Sequence, residues 1–184
     1  MAIQEKLYTV EEFEAFLDRP ENDEKHFELI NGEIVEKMVT IEHSIIVLNL
    51  GTEFTIYFRQ NPIGRAGVEG MFSLPDDRRN ARLPDIHVEL DLSKPVTREG
   101  AAPYMPDIAV EVQPPKDSPK KMFDKAHFYL ANGVKVVILV YTPKRIVEVI
   151  TPDDRDLLNE NDMLTIDLLP GFAVPIKSLF NNLQ

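Results

Sequence analysis

The sequence predicts a mixed α/β fold, and three observations carry that prediction. Phe27-Glu28-Leu29-Ile30 and Glu33-Ile34-Val35-Glu36 flank Asn31-Gly32, the dipeptide that favours the tight type I′ turn of a β-hairpin. Residues 134–141 form a near-continuous apolar run, broken only by Lys135, as expected of a strand buried on both faces. Between that run and an acidic strand at 107–113 lies a helix-period segment at 120–131, which makes a strand–helix–strand unit.

The elements follow in order. Thr9 with Glu12 is a capping box that starts a short helix over 10–17, with Phe13 and Leu17 on one face. Residues 20–25 are a polar break before the hairpin. Thr40 caps a long helix over 41–60, with Ile45, Leu48, Thr52, Thr55 and Ile56 as its expected buried stripe. Asn61-Pro62-Ile63-Gly64 ends it. Short strands are expected at 66–69 and 71–74, followed by a charged turn at 75–82.

Two acidic strands come next, 85–90 and 107–113, separated by a loop rich in Ser, Pro, Thr and Gly. Pro114-Pro115-Lys116-Asp117-Ser118-Pro119 leads into the helix at 120–131, and Asn132-Gly133 stops it. After the apolar strand, Thr142-Pro143-Lys144-Arg145 turns the chain into a strand at 146–150, a candidate sheet edge. An acidic loop at 152–162, a strand at 163–168 and a short helix at 176–180 complete the chain.

The 184 residues suit one domain, 1–184, with 43% hydrophobic and 28% charged residues, ordinary for a globular protein. No cysteine is present, which excludes disulfides, thiolate catalysis and cysteine-ligated zinc. The amino terminus has no basic n-region or apolar core, and no apolar run approaches the roughly 20 residues a bilayer requires. A cytoplasmic location is expected. The net charge of −11 opposes nucleic-acid binding by bulk electrostatics, so any such binding needs a local basic surface or a metal.

Carboxylates inside apolar strands are costly unless something pairs with them, and a divalent cation is one such partner. On the second acidic strand Asp107, Ala109, Glu111 and Gln113 share one face, and Ile108, Val110 and Val112 the other. Glu111 and Gln113 stand one alternation apart, roughly 6.6 Å, close enough to serve one small site. Asp107, roughly 13 Å from Glu111, reads instead as a strand-entry residue. Asp85 enters the other strand after Pro84 and converges on Glu111 if the two strands are neighbours. The same acids also read as solvated groups at strand ends.

Lys125 borders the apolar face of its helix with Met122 and Tyr129. It reads either as a side chain snorkelling to water or as an ammonium aimed at the carboxylates. Glu28 reads alone as a solvated hairpin acid, and His43 as a surface or capping residue. His26, His87 and His127 show no metal-ligand spacing. Arg65, Arg78, Arg79 and Arg82 before Asp85, with Lys116, Lys120 and Lys121 after Glu111, are candidates for a basic rim contacting phosphates, or else scattered surface charges. Phosphate-loop, dinucleotide and nucleophile-elbow signatures are absent.

Taken together, several motifs resemble the putative restriction endonuclease family abundant in cyanobacteria, within the PD-(D/E)XK phosphodiesterase superfamily. They are Phe27-Glu28-Leu29-Ile30-Asn31-Gly32-Glu33, Ile41-Glu42-His43, Leu83-Pro84-Asp85, Pro106-Asp107-Ile108-Ala109-Val110-Glu111-Val112, Asp124-Lys125 with Tyr129, Gly133-Val134 and Pro170-Gly171-Phe172. Their order and spacing carry the resemblance, which runs over about residues 8–180. It implies a restriction-endonuclease-like fold, a central mixed β-sheet flanked by helices with an N-terminal helix and hairpin.

By position, the resemblance makes Asp85 and Glu111 the two signature acids and the ligands of Mg²⁺, with Mn²⁺ as an alternative. Gln113 stands where the superfamily usually carries lysine, and Lys125 on the following helix is the migrated lysine. Glu28 matches an accessory acid. The implied function is Mg²⁺-dependent DNA endonucleolytic hydrolysis by a homodimer. The rival reading is a catalytically degenerate nuclease fold acting as a binding or assembly module, motivated by Gln113 and the negative charge; RNA or branched DNA are further substrates.

Overall fold

The computed structural model describes residues 6–115 and 117–183. Its elements in chain order are α1 (Val10–Leu17), β1 (Phe27–Ile30), β2 (Glu33–Glu36), α2 (Ile41–Gln60), β3 (Arg65–Val68), β4 (Phe72–Ser73), β5 (Ala81–Arg82) and β6 (Ile86–Glu89). Then come β7 (Ile108–Val112), α3 (Pro119–Ala131), β8 (Val136–Tyr141), β9 (Ile146–Ile150), β10 (Arg155–Leu158), β11 (Met163–Thr165), β12 (Ala173–Pro175) and α4 (Ile176–Leu179). The chain is divided into two compact units.

The first unit gathers the described residues up to Met38, with Gly70–Leu83 and Val96–Met105. Thr9 caps α1 as a full capping box with Glu12. The hairpin turn forms as the Asn-Gly dipeptide demands: Asn31 and Gly32 take φ of 52° and 87°, the left-handed values of a type I′ turn. A four-stranded sheet runs β2-β1-β5-β4. Its β5 lies inside the segment expected to be only a charged turn; two residues, Ala81 and Arg82, are enough to bridge β1 and β4. Phe13, Phe27, Leu29 and Ala81 form its core.

The second unit comprises Val39–Glu69, Pro84–Pro95 and the chain from Pro106 onward. Its six-stranded sheet has the order β10-β9-β8-β7-β6-β3. Only β7 and β8 pair in parallel, joined through α3; the other neighbours are antiparallel. All six residues of β8 are buried, as its unbroken apolar run implies. The segment at 146–150 is not a sheet edge: β9 is paired on both sides, and β10, formed within the expected acidic loop, takes the outer place.

One face of this sheet, with Ile86, Val88, Ile108, Val110, Ile138 and Val140, packs against α2 and the C-terminal segment. The helix meets that core through Ile46, Leu50, Phe54 and Tyr57. The stripe expected to be buried is turned outward instead: Leu48 is 67% exposed, and Thr52, Thr55 and Ile56 are exposed too. Two sides of α2 are apolar, and the one with the larger rings wins. Phe54 stacks on Phe172 with centroids 4.9 Å apart, and Tyr57 meets the same ring edge-on at 5.6 Å. Aromatic burial of this kind outweighs that of Thr and Leu.

Candidate active site

The opposite face of the six-stranded sheet carries the acids. The β6–β7 ladder pairs Ile86 with Val110, His87 with Ala109 and Val88 with Ile108. One further step sets Asp85 directly across from Glu111. The register thus makes the two acids neighbours at the end of the β6–β7 ladder. Each is only 1% exposed, so neither is a solvated strand-end acid.

Asp85 stands one residue ahead of β6. Its Oδ2 accepts the Val112 backbone N–H at 2.7 Å and lies 3.1 Å from His43 Nε2. His43 reaches it from the first turn of α2, where its own backbone N–H donates to the N-cap Thr40 hydroxyl. The imidazole is 4% exposed. Its Nδ1 has no hydrogen-bond partner among the described residues.

Glu111 is held at both oxygens. Lys125 Nζ donates to Oε2 at 2.7 Å, and the Tyr129 hydroxyl donates to Oε1 at 2.8 Å. Both donors come from α3, four residues apart and so on one helical face. Ser118 caps that helix, accepting the Lys121 N–H, and Met122, Ala126 and Tyr129 bury its inner side. The lysine is therefore directed at the carboxylate, not at water. Gln113, one alternation beyond Glu111, donates its Nε2 to the Asp117 carbonyl at 2.6 Å, which fixes the amide.

The remaining groups divide cleanly. Asp107 accepts the Leu90 N–H at 2.7 Å and meets Lys135 Nζ at 2.7 Å, a strand-entry clamp as the sequence suggests. Glu28 belongs to the first unit, where its Oε1 accepts the Leu83 N–H at 3.1 Å. Of the expected basic rim, Arg65 is paired with Glu89 at 2.7 Å and Arg82 is buried. Arg78 reaches Glu11 and Lys121 reaches Asp117. Lys116 lies outside the described residues.

Farther along the same face His87 lies over Gly67; a Cβ there would stand 2.6 Å from the imidazole Cε1. Burial pulls the His87 pKa below 6.5, and Arg65 adds to this while Glu89 opposes it. Two strands from Glu111, through the pairs Glu111–Leu139 and Leu139–Glu148, the same face carries a further buried acid. Glu148 accepts the Tyr141 hydroxyl at 2.8 Å and also Arg155 Nε. Burial, reinforced by Glu148, raises the Tyr141 pKa far above 10.0.

Sequence reasoning read His43 as a surface or capping residue and passed over Glu148. Glu148 had a signal, an acid midway along Ile146-Val147-Glu148-Val149-Ile150, the same pattern that singles out Glu111. For His43 only the Ile41-Glu42-His43 motif could have pointed there. Its partner is more than forty positions away in sequence.

As a donor set, Asp85 and Glu111 are hard carboxylates on neighbouring strand positions, with the Gln113 amide one alternation beyond Glu111. That chemistry suits Mg²⁺ or Mn²⁺. Among the described residues no group of three or more His, Asp or Glu side chains is arranged to hold a metal. Two carboxylates are still a sufficient protein share for Mg²⁺, which keeps several waters.

Residues 10–177 match the model of a family described as Uma2, putative restriction endonuclease. No curated protein matches the chain. Among solved structures, a protein described as a putative nuclease belonging to DUF820, from Anabaena variabilis ATCC 29413, superposes with a TM-score of 0.76. The alignment covers 94% of this chain and 97% of that one at 22% identity, a likeness of fold. No helix among the described residues is long and apolar enough to cross a membrane.

Proposed function

Because the chain belongs to the Uma2 family of putative restriction endonucleases, we propose that it is a Mg²⁺-dependent DNA endonuclease of the PD-(D/E)XK type. One observation carries the reading. The β6–β7 register sets Asp85 across from Glu111, both buried, with the Lys125 ammonium 2.7 Å from Glu111. The relatives' descriptions name nucleases, and two buried acids beside a lysine support the same reading.

Asp85 and Glu111 are the residues that would hold the metal, and the Gln113 amide oxygen is available beside them. The bound ion would polarise the scissile phosphate and lower the pKa of an attacking water. The chain's own groups do the rest. The Val112 N–H and His43 fix the rotamer of Asp85. Tyr129 and Lys125 fix that of Glu111. Once a cation satisfies Glu111, the Lys125 ammonium is available to orient water or to offset the charge that develops on the phosphate. A cation held there would also offset part of the net charge of −11, which otherwise repels DNA. The absence of cysteine suits a reducing compartment, and the reading places the enzyme in the cytoplasm.

The experiment is plasmid cleavage with Mg²⁺ or Mn²⁺, alongside calorimetric titration of the ion. The parent is expected to nick DNA and to bind the ion at millimolar concentrations or below. Asp85→Ala and Glu111→Ala are expected to lose both with an unchanged far-UV spectrum. A parent that neither binds ion nor cuts would leave the degenerate nuclease fold as the better description. Variants that cut like the parent would refute the site.

A further inference from the structure

Stability does not explain the buried acid two strands from Glu111. Glu148 stands between Val147 and Val149 and is 2% exposed. Taking a carboxylate out of water is costly, and apolar residues in place of a buried ion pair are often neutral or stabilising. What the acid accomplishes is orientation. It accepts Arg155 Nε and the Tyr141 hydroxyl. Arg155 lies on β10, and the pairing of Leu157 with Glu148 puts Arg155 and Leu157 on the face that carries Glu148.

Arg155 is held from two sides. Its Nε is engaged by the buried carboxylate, and its guanidinium lies over the Phe123 ring of α3, 5.3 Å from the centroid, a cation–π contact. The side chain is still 58% exposed. Its two terminal nitrogens make no hydrogen bond among the described residues. A guanidinium fixed by its inner edge presents its outer edge as a planar fork of donors, which matches a phosphate. Phe123 is 42% exposed and shares a flank of α3 with Lys120, three residues earlier. Lys120 is exposed and has no ion pair among the described residues.

We propose that Arg155, with Lys120 beside it, contacts the phosphate backbone of DNA away from the scissile bond, and that Glu148 and Phe123 are its positioning residues. The inference rests on the nuclease reading and extends it. Glu148 is two strands from Glu111 through Leu139, roughly 10 Å, which is about three phosphates along one strand of a duplex. Lys125 and Phe123 are two residues and so about 200° apart on α3, on opposite flanks. A DNA strand running from Glu111 to Arg155 therefore crosses the first turn of that helix. This turn carries Lys120 and Lys121 and no acid, and a helix N-terminus suits phosphate. A chain of net charge −11 otherwise repels a polyanion, so a fixed cation here counts for more.

The test is binding of a short fluorescein-labelled DNA duplex, followed by anisotropy in Mg²⁺ across a KCl series, together with KM and kcat for plasmid nicking. Each phosphate contact contributes about −0.9 to the slope of log K against log salt. Glu148→Gln combined with Arg155→Gln strands no carboxylate and leaves the net charge unchanged. It is expected to make the slope shallower by about 0.9 and to weaken binding roughly tenfold at about 0.1 M salt. KM rises with little change in kcat, as when binding common to ground and transition states is lost. A merely structural ion pair moves none of these. Lys120→Gln, at an exposed site, is expected to act in the same direction. Lys177→Gln makes the same charge change on α4, which packs on the other face of the sheet, and is expected to keep the parent slope. A parent-like slope in the folded double variant overturns the proposal; should that variant not fold, a parent-like slope in Lys120→Gln does so. An equal loss in Lys177→Gln overturns it too, because bulk charge then suffices. A parent that shows these effects but never cuts DNA upholds the contact and refutes the nuclease reading. A parent that cuts, with variants that leave the slope untouched, does the reverse. A parent that binds no DNA ends both.

Discussion

Lys125 and Glu111 show how much a single buried contact can decide. The carboxylate is 1% exposed and the lysine side chain 13%, so removing the ammonium strands a charge in a place water does not reach. Breaking such a pair by deleting one partner costs about 3–5 kcal/mol. Lys125→Met is therefore expected to lose stability of that order in urea unfolding without metal. Tyr129→Phe, which removes one hydrogen bond to the same carboxylate, is expected to lose about 1.5–3 kcal/mol. If Glu111 is a metal ligand, millimolar Mg²⁺ restores much of the stability of Lys125→Met, because the cation takes the place of the ammonium. A variant that Mg²⁺ leaves equally unstable would argue for a purely structural ion pair.

His43 and Asp85 teach the complementary lesson about visibility. The spacing of apolar residues marks where strands and helices begin, and it marks Asp85 and Glu111 as acids in apolar company. It carries no information on which distant groups meet them. His43 read as a capping residue because its backbone N–H does serve the cap; the side chain serves Asp85 as well.

At the scale of elements, α2 separates what periodicity can and cannot settle. A helix apolar on two sides fits the same residue pattern in either rotation. Phe54 is fully buried, while Leu48 is 67% exposed. Phe54→Ala is accordingly expected to cost about 3–5 kcal/mol, and Leu48→Ala about 0.5 kcal/mol or less in the monomer. Equal costs would mean that the helix is rotated. Gly51→Ala is expected to stabilise the monomer by up to about 1 kcal/mol, since a helix interior prefers alanine and the added methyl meets only Val68.

The first helix offers a pH test. Glu12 accepts the Thr9 backbone N–H at 3.0 Å, and that bond is the chief reason its pKa lies below 4.5, with Lys6 assisting. A carboxylate with a depressed folded-state pKa contributes stability that is complete above its unfolded value and lost as the pH falls through the folded one. Melting of α1 is expected to become easier from about pH 4.5 downward, and Glu12→Gln is expected to flatten that limb of the profile. Thr9→Ala, which deletes the reciprocal cap, is expected to cost about 1 kcal/mol at neutral pH.

For the molecule as a whole, ligand linkage offers the cleanest check on the nuclease reading. A cation that binds only the folded state stabilises it by about 2.7 kcal/mol at a hundred times its Kd. Magnesium is expected to raise the melting temperature of the parent, a chelator to reverse this, and Asp85→Asn to abolish the response. DNA binding is expected to vanish with the chelator as well, since a chain of net charge −11 has little bulk attraction for phosphate. Binding that survives chelation and falls steeply with salt would point to a basic surface instead.

The sequence by itself determined the local structure: both long helices with their caps, the Asn-Gly hairpin, the fully buried β8 and the acids set among apolar residues. These follow from interactions only a few residues long, which the order of side chains records directly. Tertiary structure alone decided the rest: that β6 lies beside β7 in the register that opposes Asp85 to Glu111, that β10 displaces β9 from the edge, which side of α2 faces the core, and that His43 and Tyr129 complete the acid pair. Those outcomes depend on competition between surfaces far apart in the chain, where ring area and strand register weigh against one another. No short window of residues contains that comparison.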